Sequence, residues 1–154
     1  MFIGVISDTH GLLRPEAIEA LRGAQHIIHA GDVGGPEVLA ALAQIAPVTA
    51  VRGNNDKGAW AARLPATAVF DADGLAIYVL HDLKELDLDP VAGGFGVVVA
   101  GHSHQPAQDR RNGVLFFNPG SAGPRRFRLP ICVGRLHVEA GAARAELVTL
   151  GVPP

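Results

Sequence analysis

Seven side chains able to hold metal ions stand at the ends of apolar runs. The run 2–7 ends in Asp8, with His10 two residues on. The run 26–31 ends in Asp32, the run 48–53 in Asn54, the run 76–80 in His81, and the run 95–101 in His102 and His104. Carboxylate, imidazole and carboxamide groups give mixed oxygen and nitrogen donors without a thiolate. Such a set suits Mn, Fe, Zn, Ni or Mg. Seven donors are too many for one ion that keeps a position open, and they suit two ions sharing one carboxylate. Two ions about 3.5–4 Å apart can clamp a phosphoryl group, and bound water can lose its proton at a pKa of about 7. The expected chemistry is hydrolysis of a phosphate ester by a hydroxide held between the metals.

The spacing has a use. Asp8 and His10 are two residues apart, as are His102 and His104. On extended backbone such side chains point the same way. Each pair could grip one ion or divide between two. Gly11, Gly31, Gly53 and Gly101 leave room for tight turns beside them.

These residues need strands to position them. Residues 2–7, 26–30 and 47–51 read as strands, and residues 14–22 and 36–45 as helices, with Pro15 and Pro36 near their starts. Alternating strands and helices imply a parallel sheet with right-handed crossovers. Ligands of open α/β sheets sit beyond the carboxyl ends of the strands, where the seven residues fall. Further on, residues 67–70 and 75–80 flank a turn at Asp71–Gly74, and residues 95–100 form a continuous apolar strand. Residues 114–117 follow the turn at Asn112–Gly113, and residues 131–138 and 144–150 make a last hairpin about Gly141. Residues 85–94 have the least pattern and predict a loop beside the site. The whole predicts one α/β domain over 1–154, with two packed sheets and helices outside.

Composition narrows the class. The chain has 154 residues, 48% of them hydrophobic, enough for one domain with its own core. A net charge of −2 indicates no nucleic-acid partner. One cysteine, Cys132, rules out a disulfide within the chain and points to a cytoplasmic location. The apolar start is only a strand long and lacks a basic lead and cleavage site, so no signal peptide is expected. No apolar stretch approaches the roughly 18 residues of a membrane span.

Asp8-Thr-His10, Gly31-Asp32, Gly53-Asn54-Asn-Asp56, His81 and Gly101-His102-Ser-His104 together resemble the five blocks of the calcineurin-like metallophosphoesterases. Asn118-Pro-Gly-Ser121 resembles a further block of the small YfcE-type phosphodiesterases. The resemblance implies a four-layer α-β-β-α sandwich of two mixed sheets flanked by helices. It implies a dinuclear centre, with manganese foremost among the candidate metals. Asp8, His10, Asp32 and His104 would hold the first ion. Asp32, Asn54, His81 and His102 would hold the second, with Asp32 bridging. Asp8, His10, Asp32, Asn54 and His102 would also act in catalysis. A phosphodiesterase of small phosphate esters is the expected activity, and a homodimer is compatible with the resemblance. A phosphomonoesterase or nucleotidase is the nearest rival, and a non-catalytic interaction scaffold like the retromer subunit of this fold is another.

Two positions depart from the pattern. Asn55 stands where many relatives carry a histidine that acts as a general acid or binds phosphate, and an amide cannot give up a proton near neutral pH. Asp82 stands where glycine commonly follows the metal-binding histidine. Of the remaining polar residues, Asp56 could orient a neighbour and His29 could support the site. Arg52 could meet phosphate or form a surface ion pair, and Arg125 and Arg126 could meet substrate anions, with a solvated basic turn the favoured reading. His26 and His137 read as structural or surface residues, and Cys132 as a buried inert thiol.

Overall fold

The computed structural model describes residues 1–152. The first half runs β1 (Phe2–Ile6), α1 (Pro15–Leu21), β2 (His26–His29), α2 (Pro36–Ala43), β3 (Val48–Ala50) and the single turn α3 (Ala59–Ala62). The second half is β4 (Thr67–Ala72), β5 (Leu75–Leu80), a 3-10 turn (Leu83–Glu85), β6 (Phe95–Val99), β7 (Ala107–Arg111), β8 (Val114–Asn118), β9 (Cys132–Glu139) and β10 (Ala142–Thr149).

These strands form two mixed sheets. The first has the order β10-β9-β1-β2-β3 and the second β4-β5-β6-β8-β7. In the first, β1, β2 and β3 run parallel while β9 and β10 run antiparallel. In the second, β5, β6 and β8 run parallel between antiparallel edges β4 and β7. Each sheet therefore holds three parallel strands whose carboxyl ends share one side.

Alternation along the strands builds the layers. Ile3 and Val5 of β1 face the second sheet, where Ile77, Val79, Val97, Val99 and Phe117 meet them. Ile6 and Ile27 face the other way, onto Leu21 of α1 and Val38 and Leu42 of α2. Gly4 permits the close approach of α1, since a Cβ there would lie 2.7 Å from the Leu21 side chain. Both helices carry proline at the start, where the missing N–H costs nothing. Among the described residues, the outer face of the second sheet has only the 3-10 turn and the chain beyond it as cover. Leu83, Leu86 and Leu88 pack there on Tyr78, Leu80 and Val98.

The unpatterned stretch 85–94 is a loop beyond its first residue, anchored on the sheet by Leu86 and Leu88 while residues 91–94 stay exposed. β7 escaped the sequence reading because all five of its residues are exposed, so no apolar alternation marks it. It lies at a sheet edge, paired through Ala107↔Asn118 to Arg111↔Val114. α3 is too short to show a period. No helix among the described residues is long and apolar enough to cross a membrane.

Candidate metal centre

The parallel strands of both sheets deliver their carboxyl-terminal loops to one place, and backbone hydrogen bonds stitch those loops together. Asp8 N–H donates to Gly31 O (3.0 Å) and His10 N–H to Asp32 O (2.9 Å). Gly101 N–H donates to His81 O (2.9 Å), and Ala122 N–H to Ser7 O (3.0 Å), joining the two sheets. Close packing of backbone needs glycine at two points. A Cβ at Gly53 would overlap the backbone and carboxylate of Asp32, and one at Gly101 would overlap the Ser7 hydroxyl.

The site's backbone is not extended. Asp8, His10, Asp32, His102 and His104 all have positive φ, between 47° and 71°. Left-handed backbone costs about 1–2 kcal/mol per non-glycine residue, and such strain gathers where a site must aim its side chains. The two spaced pairs therefore work by turning. Asp8 and His10 stay in one cluster, while His102 and His104 separate into two.

One group comprises Asp8, His10 and His104, and the other Asp32, His81 and His102; within each, the ligand atoms lie within 4.8 Å of one another. In the first, His104 Nε2 is 3.5 Å and His10 Nε2 4.0 Å from Asp8 Oδ1. In the second, His81 Nε2 is 3.3 Å from Asp32 Oδ2. Asn54 Oδ1 completes it, 3.0 Å from His81 Nε2 and 3.1 Å from His102 Nδ1. The groups meet at Asp32, whose Oδ2 also lies 3.7 Å from His10 Nε2. All seven residues expected from the sequence thus share one cluster.

The donors fit divalent cations. Asp8 Oδ1 and His10 Nε2 are buried without a hydrogen-bond partner, as is His104 Nδ1. An unpaired buried polar atom costs about 1–3 kcal/mol, and a cation would relieve the cost for those facing it. The remaining atoms of the same side chains are anchored. Asp8 Oδ2 accepts from the Ser7 hydroxyl (2.7 Å) and from His102 N–H (3.0 Å), leaving Oδ1 for the site. His81 Nδ1 donates to Ala30 O (2.7 Å), so its Nε2 lone pair faces the cluster.

Burial alone would raise the pKa of Asp32. The contact with His81 and the donors of Asn55 outweigh it and hold the carboxylate far below its ordinary range. Burial would lower His81, but Asp32, the Ala30 carbonyl and the charge of Asp8 raise it. Burial lowers His104, and the charges of Arg126 and His10 add to that against the opposing pull of Asp8. Arg126 is exposed on its turn, and its charge still reaches the site.

Both departures now have positions. Asn55 clamps Asp32, with its N–H on Oδ1 (2.9 Å) and its amide on Oδ2 (3.1 Å). Asp82 lies behind the second group, its Oδ2 3.7 Å from His102 Nε2 and its Oδ1 capping the 3-10 turn. Asp56 is buried and accepts from Val33, Gly34 and Gly53 N–H, tying the loop of Asp32 to that of Asn54. His29 is wholly buried behind the site. Gly31 N–H donates to its Nδ1 (3.1 Å), so its Nε2–H donates to Thr9 Oγ1 (3.0 Å).

The 118–121 block holds the loops. Asn118 donates to Gly101 O and Ser103 Oγ, and the Ser121 hydroxyl donates to Asp8 O. Sequence reasoning assigned these two residues no part, and only the resemblance marked them. Other candidates lie outside the cluster. Arg52 bonds Leu64 O and Arg125 bonds Leu129 O and Val152 O. His26 stacks on Phe70, His137 stacks on Phe2, and Cys132 is buried.

Residues 1–141 match the calcineurin-like phosphoesterase superfamily domain. A probable metallophosphoesterase of Methanothermobacter thermautotrophicus is 33% identical over 165 aligned positions, covering 99% of this chain and 95% of that protein. Among solved structures, an archaeal phosphodiesterase superposes with a TM-score of 0.80 at 25% identity, covering 96% of this chain and all of that one. Vps29 of Chaetomium thermophilum has a TM-score of 0.78 at 21% identity, with 99% of this chain and all of that one covered. That last likeness concerns the fold.

Proposed function

The chain belongs to the calcineurin-like phosphoesterase superfamily, and on that premise we propose that it is a dinuclear metal-dependent phosphodiesterase of small phosphate esters. The observation that carries this reading is the position of Asp32 Oδ2, 3.7 Å from His10 Nε2 in one group and 3.3 Å from His81 Nε2 in the other. Asp8, His10, Asp32 and His104 would hold one ion, and Asp32, Asn54, His81 and His102 the other, with manganese as the leading choice. When bound, such ions supply an activated water and positive charge against the phosphoryl oxygens.

The chain's own contribution is orientation. Asn55 fixes both oxygens of Asp32, the Ala30 carbonyl fixes the tautomer of His81, and Ser7 with His102 N–H fixes the rotamer of Asp8. The same amide explains the choice of a diesterase with good leaving groups. Committed to Asp32 and unable to release a proton near pH 7, Asn55 offers no acid for a poor leaving group. The probable metallophosphoesterase and the archaeal phosphodiesterase named above support the reaction class. The lone cysteine supports a cytoplasmic site of action.

The test is hydrolysis of bis-p-nitrophenyl phosphate by metal-stripped protein with and without added Mn²⁺, with bound metal measured in parallel. Stimulated turnover at two equivalents of metal is expected. Two bound equivalents without turnover would remove the enzyme reading. Near-zero uptake of Mn, Fe and Zn would favour the scaffold.

A further inference from the structure

The outer face of the second sheet is covered unevenly. Leu83, Leu86 and Leu88 reach over β5 and β6, and the cover stops short of the β7 edge. A cleft of about 580 Å³ remains there, within the range of small-molecule sites. Val98 of β6, Ala100 just beyond it and Phe116 of β8 line it, as do Ala107, Asp109 and Arg111 of β7. The last three alternate along one strand and so share one face.

This cleft adjoins the metal centre with one ring between them. His102 Nδ1 is 3.1 Å from Asn54 Oδ1 on the metal side, and its Nε2 is 3.7 Å from Asp82 Oδ2. Both His102 and Asp82 line the cleft. Asn118 holds the rim by its bonds to Gly101 and Ser103. At the far end the Arg111 guanidinium lies 4.7 Å over the Phe116 ring and donates to Asp109 at 2.8 Å. Its charge is thereby met, and it covers one face of that ring.

We propose that this cleft is a substrate subsite for the ester arm retained on phosphorus, a flat aromatic or nucleoside-sized group. The inference rests on the diesterase reading. In an in-line displacement the leaving oxygen departs opposite the attacking one. Attack from the floor of the site sends the leaving group out to solvent, and the retained arm lies along the protein, past His102. Phe116 and the aliphatic floor favour an apolar flat arm. Asp82 and Asp109 match Lys84 and Arg111 in charge, so the lining has no excess cation for a second phosphate.

The experiment uses Ala107→Trp in the full, metal-loaded chain. Ala107 is exposed on an edge strand, where a large side chain can block the cleft without entering the core. Bis-p-nitrophenyl phosphate and methyl p-nitrophenyl phosphate share a leaving group and differ in the retained arm. The variant is expected to lose about tenfold in kcat/KM on the bis-aryl ester, through KM, and to stay within about twofold on the methyl ester. Phe116→Ala should act in the same direction. Calorimetry gives a readout apart from turnover: the parent protein should bind phenyl phosphate more tightly than inorganic phosphate, and Ala107→Trp should erase that preference. Equal effects on both esters, or no preference for phenyl phosphate, would overturn the subsite. If neither diester is turned over, the diesterase reading falls while calorimetry still judges the cleft.

Discussion

The two ligand groups differ in how far the protein alone satisfies them. In the first, Asp8 Oδ1, His10 Nε2 and His104 Nδ1 are buried with no hydrogen-bond partner. In the second, Asn55 occupies both oxygens of Asp32, while His81 and His102 converge on Asn54 Oδ1. The first group is held open against its own cost, and the carboxylate of the second is clamped by one amide. Burial cuts across this division, since Asp8, His104, Asp32 and His81 are buried, His10 is half-buried, and only Asn54 and His102 of the second group are exposed. The lesson concerns what a cation contributes in each place. In the first group it meets orphaned atoms, and in the second it meets a carboxylate whose two oxygens already accept from Asn55.

The largest effect should come where the groups touch. Asp32→Ala removes the carboxylate shared by both, so metal stoichiometry should fall and turnover of an activated aryl diester should drop by about a thousandfold or more, equivalent to about 4 kcal/mol of transition-state stabilisation. Elemental analysis beside the kinetics checks this. Two retained equivalents of metal would break the idea that the groups are coupled through Asp32.

A smaller effect separates the groups. Loading metal onto the parent protein should raise Tm, because binding to the native state stabilises it by mass action. His104→Ala should abolish most of that rise, since the first group loses a donor where orphaned atoms gain most. His102→Ala, which removes an exposed donor from the second group, should keep more than half. For a chain of this size 1 kcal/mol shifts Tm by roughly 2–4 °C, so the two variants should be separable by calorimetry. Equal losses would show that the unpaired atoms of the first group are irrelevant to metal-linked stability.

Legibility in the sequence divides along physical lines. Buried strands were readable because long apolar runs have no other use, and β1, β2 and β6 lie where residues 2–7, 26–30 and 95–100 predicted them. β7 was hidden, because a two-sided exposed edge carries no pattern. The seven donors were legible from residue type and place, at the ends of those runs. Their aim was not. The extended-backbone argument for Asp8 and His10 fails at φ 56° and 47°, since local spacing says nothing of the loops that force a turn. Asn55 looked like a lost acid and is in fact the clamp on Asp32, a role set by a contact 23 residues distant. The 118–121 block carried no chemistry of its own and gains meaning only from the loops it ties.

His29 sharpens the contrast from the far side, as a histidine with both nitrogens bonded and none offered to the site. Burial first, with the charges of His81 and His10 adding and Asp32 opposing, lowers its pKa from 6.5 to about 3. Above pH 6.5 the ring is neutral in folded and unfolded chains alike, so its protonation adds no slope there. As pH falls from 6.5 toward 3, the unfolded chain takes a proton that the folded chain refuses. Stability is therefore lost across that window at up to about 1.4 kcal/mol per pH unit from this residue. His29→Gln keeps a donor for Thr9 and an acceptor for Gly31 without the titration. Urea unfolding of the metal-free proteins between pH 6.5 and 4.5 should show a shallower slope for the variant by about that amount. Parallel slopes would mean that His29 takes its proton while folded, and that its two bonds are weaker than their distances indicate.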